Sequence, residues 1–308
     1  YGGVMSYEHI FNEMQIEADP FALCELHGKC DLGLGRLTGA TLHYILVGRG
    51  EIVFQDQPPI EVKQGTLVLV PGHKAHTLRS FGATGEPIPH CRPAELDLEQ
   101  YLLKNEQINP NGRLLAVCSN VKVGLHGVDD LVDLVREPLI EHVEASNSLV
   151  DPVEQLLEEL SAPTLGSRAM VRVLLHQCMI HLLRKRLLAH DPALNWMAAL
   201  IDEGLWSALR LMLDTPGHPH SVESLADAAG MSRSSFAERF SAAYGSGPKK
   251  LLRELRMNLA CSLLKQSDLP VKRIAELVGF QSRSAFTRTF ESITGKSPRN
   301  FRAAAKHK

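Results

Sequence analysis

The chain of 308 residues lacks any apolar run near the length of about 18 that a membrane-spanning helix needs. Its densest run, Thr66-Leu-Val-Leu-Val70, has the length of a strand. A membrane-spanning helix is excluded. The first 30 residues lack a basic start ahead of an apolar block and carry Glu8, Glu13, Glu17 and Asp19 instead, so no secretory signal is expected. The cysteines (Cys24, Cys30, Cys91, Cys118, Cys178 and Cys261) include no C-x-x-C pair, which points to free thiols and a cytoplasmic location. With 44% hydrophobic and 22% charged residues, the composition excludes collagen-like and mostly disordered chains. The length accommodates two domains, each with a core of its own.

Net charge is also scarce, at −2, but it is unevenly spread. From Ser221 onward there are 16 Lys+Arg against 7 Asp+Glu, a balance of +9, and the remainder carries −11. A basic block joined to an acidic partner reads as a polyanion-binding domain attached to something else.

Thr41-Leu-His-Tyr-Ile-Leu-Val-Gly48, Glu51-Ile-Val-Phe54 and Thr66–Val70 are β-branched or aromatic runs bounded by Gly and Pro. They predict strands of a barrel or sandwich. Leu-rich helical spacing follows over 152–161 and 167–189, and a further helix is expected from Asn195 to Leu213. The breakers Thr215-Pro-Gly-His-Pro219 mark the expected boundary between the halves.

The last 90 residues contain a repeat offset by 50: Phe236, Phe240 and Pro248 recur as Phe286, Phe290 and Pro298. Val222, Leu225, Ala226 and Ala229 lie at i, i+3, i+4 and i+7, and Val271, Ile274, Ala275 and Val278 repeat that spacing. Gly230 and Gly279 follow where a left-handed turn is needed, and Ser232 and Ser282 stand where a helix cap belongs. Each unit thus reads as a helix-turn-helix, over about 222–244 and 271–294, whose second helix buries two phenylalanines and turns polar residues outward. Such a helix suits the major groove, where Arg and short polar side chains reach base edges.

The segments Ile274-Ala-Glu-Leu-Val-Gly-Phe280, Phe286-Thr-Arg-Thr-Phe290, Gly295-Lys-Ser-Pro-Arg-Asn-Phe-Arg302 and Ala228–Phe240 resemble the AraC/XylS family of bacterial transcription regulators. The resemblance implies two helix-turn-helix units joined by a long helix, about Pro248 to Gln266, with Leu252, Leu255, Leu259 and Leu263 packing on both. It places the groove-facing positions at Arg233, Ser234, Ala237 and Glu238 in the first unit, and at Arg283, Ser284, Thr287 and Arg288 in the second. Glu238 departs from the basic residue common there, and because an acid is unfavourable near phosphates it either accepts from a cytosine amino group or leaves the first helix a weak binder. The partners implied are double-stranded promoter DNA, RNA polymerase, a small-molecule or redox signal and a second copy of the chain.

His43–Gly50 and Gly65–His76 resemble the two strand motifs of a cupin barrel, the second more closely, since the first offers only His43. The expected fold is therefore α+β multidomain. It comprises a cupin-like sensory β-barrel over 1–125, a helical linker or dimerisation region over 126–204 and an all-α double helix-turn-helix domain over 205–308.

Three readings of the barrel remain open. His43 and His76 hold a metal such as zinc, with His27, His73, His90, Cys91, Cys24 and Cys30 as nearby candidates; or they are hydrogen-bonded in a metal-free pocket lined by Ile45, Val47 and Phe54; or Cys24 and Cys30 are oxidised as a signal. The chain reads as a DNA-binding regulator, an activator or a repressor, and not as an enzyme. The alternative, a cupin metalloenzyme with a helical appendage, leaves the basic repeat without a purpose.

Overall fold

The computed structural model describes residues 6–34, 39–55, 57–72, 74–81, 90–92, 113–125, 131, 134–135, 137–143 and 148–306. A short helix α1 (Tyr7–Glu13) precedes strands β1 (Gln15–His27), β2 (Asp31–Leu34), β3 (Ala40–Phe54), β4 (Ile60–Lys63) and β5 (Thr66–Val70). Then come β6 (His76–Ser80), β7 (His90–Arg92), β8 (Arg113–Gly124) and β9 (Leu139–His142). The helices that follow are α2 (Val150–Ser161), α3 (Ser167–Leu188), α4 (Asn195–Ile201), α5 (Glu203–Asp214) and α6 (Val222–Ala228). The last are α7 (Arg233–Tyr244), α8 (Pro248–Gln266), α9 (Val271–Leu277), α10 (Arg283–Thr294) and α11 (Pro298–Lys306).

The chain divides into two compact units, residues 13–194 and residues 195–308 with 1–12. In the first, the described strands form one antiparallel sheet in the order β2-β6-β3-β8-β1-β7, with β4 on β3, and β5 between β3 and β9. The two strands expected over 41–48 and 51–54 are one long strand, β3. Its first half pairs with β5 and β8 and its second half with β4 and β6, which rolls the sheet around an apolar interior. Cys24, Ile45, Ile52, Leu78, Leu114 and Cys118 fill that interior.

Helices α2 and α3 are not a separate linker. Strand β9 pairs with β5, and α3 packs on β1, so the region expected to stand apart belongs to the sheet-rich unit. Lys185 and Arg186 of α3 both reach the buried carboxylate of Glu141 in β9, at 2.7 and 3.3 Å.

The expected helix from Asn195 to Leu213 is two helices. Asp202 interrupts it as an N-cap, accepting from the backbone N–H groups of Gly204 and Leu205 at 3.1 Å. Both pieces belong to the helical unit, because α4 packs on α7 and α5 packs on α6. The division of the chain therefore falls at 194/195, ahead of the breaker cluster 215–219. Helix α8 has the bounds expected of the linking helix, but its deeply buried residues near the second unit are Met257, Ala260 and Leu264. Leu259 and Leu263 are only partly buried there.

Candidate nucleic-acid interface and barrel interior

Each recognition helix is positioned by the same local devices. In the first unit, Ser221 Oγ accepts from Ser224 N–H and Ser224 Oγ from Ser221 N–H, both at 3.0 Å, so α6 begins with a capping box. The turns pass through Gly230 (φ 65°) and Gly279 (φ 79°), a region that favours glycine. Ser232 then caps α7 by accepting from Ser235 N–H at 3.3 Å, and Ser282 caps α10 by accepting from Ala285 N–H at 3.1 Å. Phe236, Phe240, Phe286 and Phe290 are fully buried. Each such ring contributes roughly 1.5–3 kcal/mol of burial, which fixes how far each helix rotates about its axis.

That rotation decides which side chains face water. Arg233, Ser234 and Glu238 are exposed on α7, as are Arg283, Ser284 and Arg288 on α10, while Ala237 and Thr287 are half-buried at the edges of those faces. Their charges are disposed differently. Arg233 pairs with Glu223 at 2.8 Å, and Arg239, which the sequence reading passed over, pairs with Asp202. Arg283 and Arg288 form no ion pair among the described residues.

Within the sheet-rich unit, His43 and His76 do meet, as hydrogen-bond partners, with Nε2 to Nε2 at 2.8 Å. His76 Nδ1 lies 3.2 Å from the Lys74 carbonyl, and His43 Nδ1 lies 3.2 Å from Cys118 Sγ. Burial is the main cause that holds both imidazoles below the usual histidine range, and for His43 the neighbouring His76 adds to it. Both are therefore neutral at pH 7.

As arranged, the pair does not fit a zinc ion. Two nitrogens on one tetrahedral zinc stand about 3.3 Å apart and converge on the metal. Here each ring spends its facing nitrogen on the other, and no group of three or more His, Cys, Asp or Glu able to hold a metal occurs among the described residues. His27 turns elsewhere, 2.8 Å from Glu25, whose carboxylate also takes the buried Arg113 guanidinium at 2.7 Å. His73 and the side chains of His90 and Cys91 lie outside the described residues.

The structure does not pair Cys24 with Cys30. The Cys24 sulfur lies 2.9 Å from Cys118, and Cys30 lies 3.6 Å from Ser80 Oγ. Cys118 escaped the sequence reading because β8 was not recognised as a strand. The signal available was the continuous apolar run Leu114–Cys118, of strand length and buried on both faces. Val47 does not line the interior with Ile45. A register shift between Ile45 and Val47 opposite β8 buries Leu46 and turns Val47 to a half-buried position, while Phe54 stays inside beside His76.

A sheet-rich domain joined to twin helix-turn-helix units is the arrangement of a DNA-binding regulator of transcription. Residues 225–304 match the model of a helix-turn-helix domain, and residues 8–187 match that of a cupin. The chain belongs to the cupin-bearing AraC-like transcription regulators. It is 32% identical over 252 residues to a putative AraC-like transcription regulator of Streptomyces lividans, covering 79% of this chain and 80% of that one. It is 26% identical over 306 residues to the HTH-type transcriptional regulator AlkR of Acinetobacter baylyi, covering 95% of this chain and 97% of that one. A putative AraC-like transcription regulator of Streptomyces antibioticus is 34% identical over 178 residues, and there the chain spans 57% of the relative. The cupin model extends past α2 into α3, in agreement with the single sheet-rich unit.

Proposed function

We propose that the chain is a sequence-specific regulator of transcription that reads promoter DNA mainly through α10, and that the cupin domain adjusts this binding in response to a small organic molecule. The observation that carries the DNA-reading is the outward face of α10. Phe286 and Phe290 are buried, and Arg283, Ser284 and Arg288 stand exposed and free of ion pairs among the described residues. In the first unit Arg233, Ser234, Ala237 and Glu238 occupy the equivalent face and make the second contact. RNA polymerase is the partner that such binding serves, and this reading assigns the chain no enzymatic reaction.

The full chain should bind duplex DNA with an affinity that falls steeply with salt, by about 0.9 in the log–log slope for each phosphate neutralised. Flat salt dependence, measured by fluorescence anisotropy, overturns the reading.

A metal-free interior is supported by the mutual hydrogen bond of His43 and His76, which leaves them as polar handles in an apolar surround. Thiol oxidation is the second reading, favoured by the proximity of Cys24 to Cys118. Elemental analysis should find no stoichiometric metal, and DNA binding should be the same before and after mild peroxide treatment. One equivalent of metal lost in His76→Ala overturns the first expectation. An oxidation response abolished by Cys24→Ser establishes the thiol reading instead.

A second copy of the chain is a further proposed partner. Met170 and Val173, three residues apart on α3, are 45% and 60% exposed although the opposite face of that helix is buried in its own unit.

A further inference from the structure

The segment between α5 and α6 touches the second helix-turn-helix unit, although it belongs by sequence to the first. A Cβ on Gly217 would lie 2.0 Å from the Leu277 carbonyl oxygen, and a Cβ on Gly279 would lie 2.5 Å from the Gly217 carbonyl oxygen. The contact is backbone on backbone, and glycine at both positions is what permits it. Arg256, in the middle of α8, closes it from the side: its Nε donates to the Pro216 carbonyl at 2.7 Å and its Nη2 to the His218 carbonyl at 2.8 Å.

The segment is itself held in shape. Thr215 Oγ1 donates to the Leu211 carbonyl at 2.9 Å, His218 N–H donates to the Thr215 carbonyl at 3.0 Å, and His220 Nε2 lies 2.9 Å from the same carbonyl. Its start follows α5, which packs on α6 and α7, and its end is the N-cap of α6. Its ends are thus fixed to the first unit while its middle abuts the turn of the second. Helix α8 is the other connection between the units, and Arg256 ties the two connections together. A joint at one place leaves a torsion free; a joint at two places does not.

We propose that Arg256 and residues 215–220 form a brace that sets the distance and rotational phase between α7 and α10. Arg256 is then a positioning residue that fixes the spacing of a composite DNA site. The proposal rests on the DNA-reading above. One base pair changes the separation of two sub-sites by about 3.4 Å and their rotation by about 34–36°. A braced pair of helices therefore accepts one spacing, and a loose pair accepts several.

The full-length chain would be used to select duplexes from a randomised library, and one base pair would then be inserted or deleted between the two sub-sites so defined. The wild type should lose about tenfold or more in affinity with either change, since one helix must give up its base contacts. Arg256→Ala and Gly217→Ala should bind all three spacings within about threefold of one another, with base preferences inside each sub-site unchanged. Arg256→Lys, which keeps the charge but not the two-pronged fork, should fall between. Gly217→Ala attacks the same contact without altering charge, so it carries the test if Arg256→Ala melts. Undiminished spacing discrimination in Gly217→Ala overturns the brace. So does a salt slope reduced by about one in Arg256→Ala, which marks a phosphate contact. A wild-type chain that enriches no sequence overturns the DNA-reading itself, a result distinct from either.

Discussion

The two helix-turn-helix units share a plan and differ in how they handle charge. In the first, Glu223 engages Arg233 and Asp202 engages Arg239, so the cations of α7 have partners within the protein, and Glu238 adds an acid to the outward face. In the second, Arg283 and Arg288 face outward with no such partner among the described residues. Their interiors, by contrast, share a buried phenylalanine pair, with the third ring supplied by α7 itself in the first unit and by α11 in the second. Phe240 lies between Phe236 and Tyr244 at centroid distances of 5.3 and 4.5 Å, and Phe290 lies between Phe286 and Phe301 at 5.6 and 5.4 Å. The buried phenylalanines recur while the surface charges differ. The units are alike in their buried phenylalanine pairs and, on the proposed reading, unequal as DNA readers.

The largest expected effect tests the equality. Phe240→Ala and Phe290→Ala should each destabilise the chain by about 3–5 kcal/mol in chemical denaturation, because each empties the centre of an aromatic cluster. A difference of more than about 2 kcal/mol between them would break the claim of equivalent interiors. The next effect tests the inequality. Arg283→Ala and Arg288→Ala should each weaken the selected site by about 1–3 kcal/mol while leaving random DNA much less affected. Arg233→Ala should cost less, since Arg233 must first leave Glu223 to reach DNA. Equal losses at Arg233 and Arg283 would erase the distinction. The smallest effect has the opposite sign. Glu223→Gln should release Arg233 and raise affinity a few-fold at most, as expected for an exposed ion pair, in the same anisotropy assay. A loss of affinity in that variant would mean that the pair holds Arg233 in place for DNA.

The helical unit was legible because its signals are local. Gly230, Ser232, Phe236 and Phe240 lie within 11 residues, and their recurrence at Gly279, Ser282, Phe286 and Phe290 doubles the evidence. The sheet-rich unit was read only in part, because its defining contacts are distant in sequence. Strand β1 carries Pro20 and mixed polar residues, so its role rests on pairing with β8, which no short window reveals. The register shift beside Leu46 likewise depends on the partner strand, which is why Val47 was placed on the wrong face. Residues 215–219 misled for a related reason. Pro and Gly point to a boundary between halves, whereas Gly217 is where two backbones touch. Close approach and a chain boundary leave the same mark in a sequence.

The pairing of β1 with β8 also sets a timetable. Leu26 lies opposite Leu114 and His27 opposite Arg113, so during synthesis the first strand waits for more than eighty later residues before its partner exists. At roughly 5–20 residues per second, that is a delay of about 4–17 s, in which the edge of β1 that β8 covers has no native strand to pair with. The helix-turn-helix units close over some twenty residues each and need no such wait, since short-range contacts form in microseconds to milliseconds. The half of the molecule that leaves the ribosome first is therefore the half that finishes folding on the slower clock, and its nascent strand is where chaperones have the longest time to act.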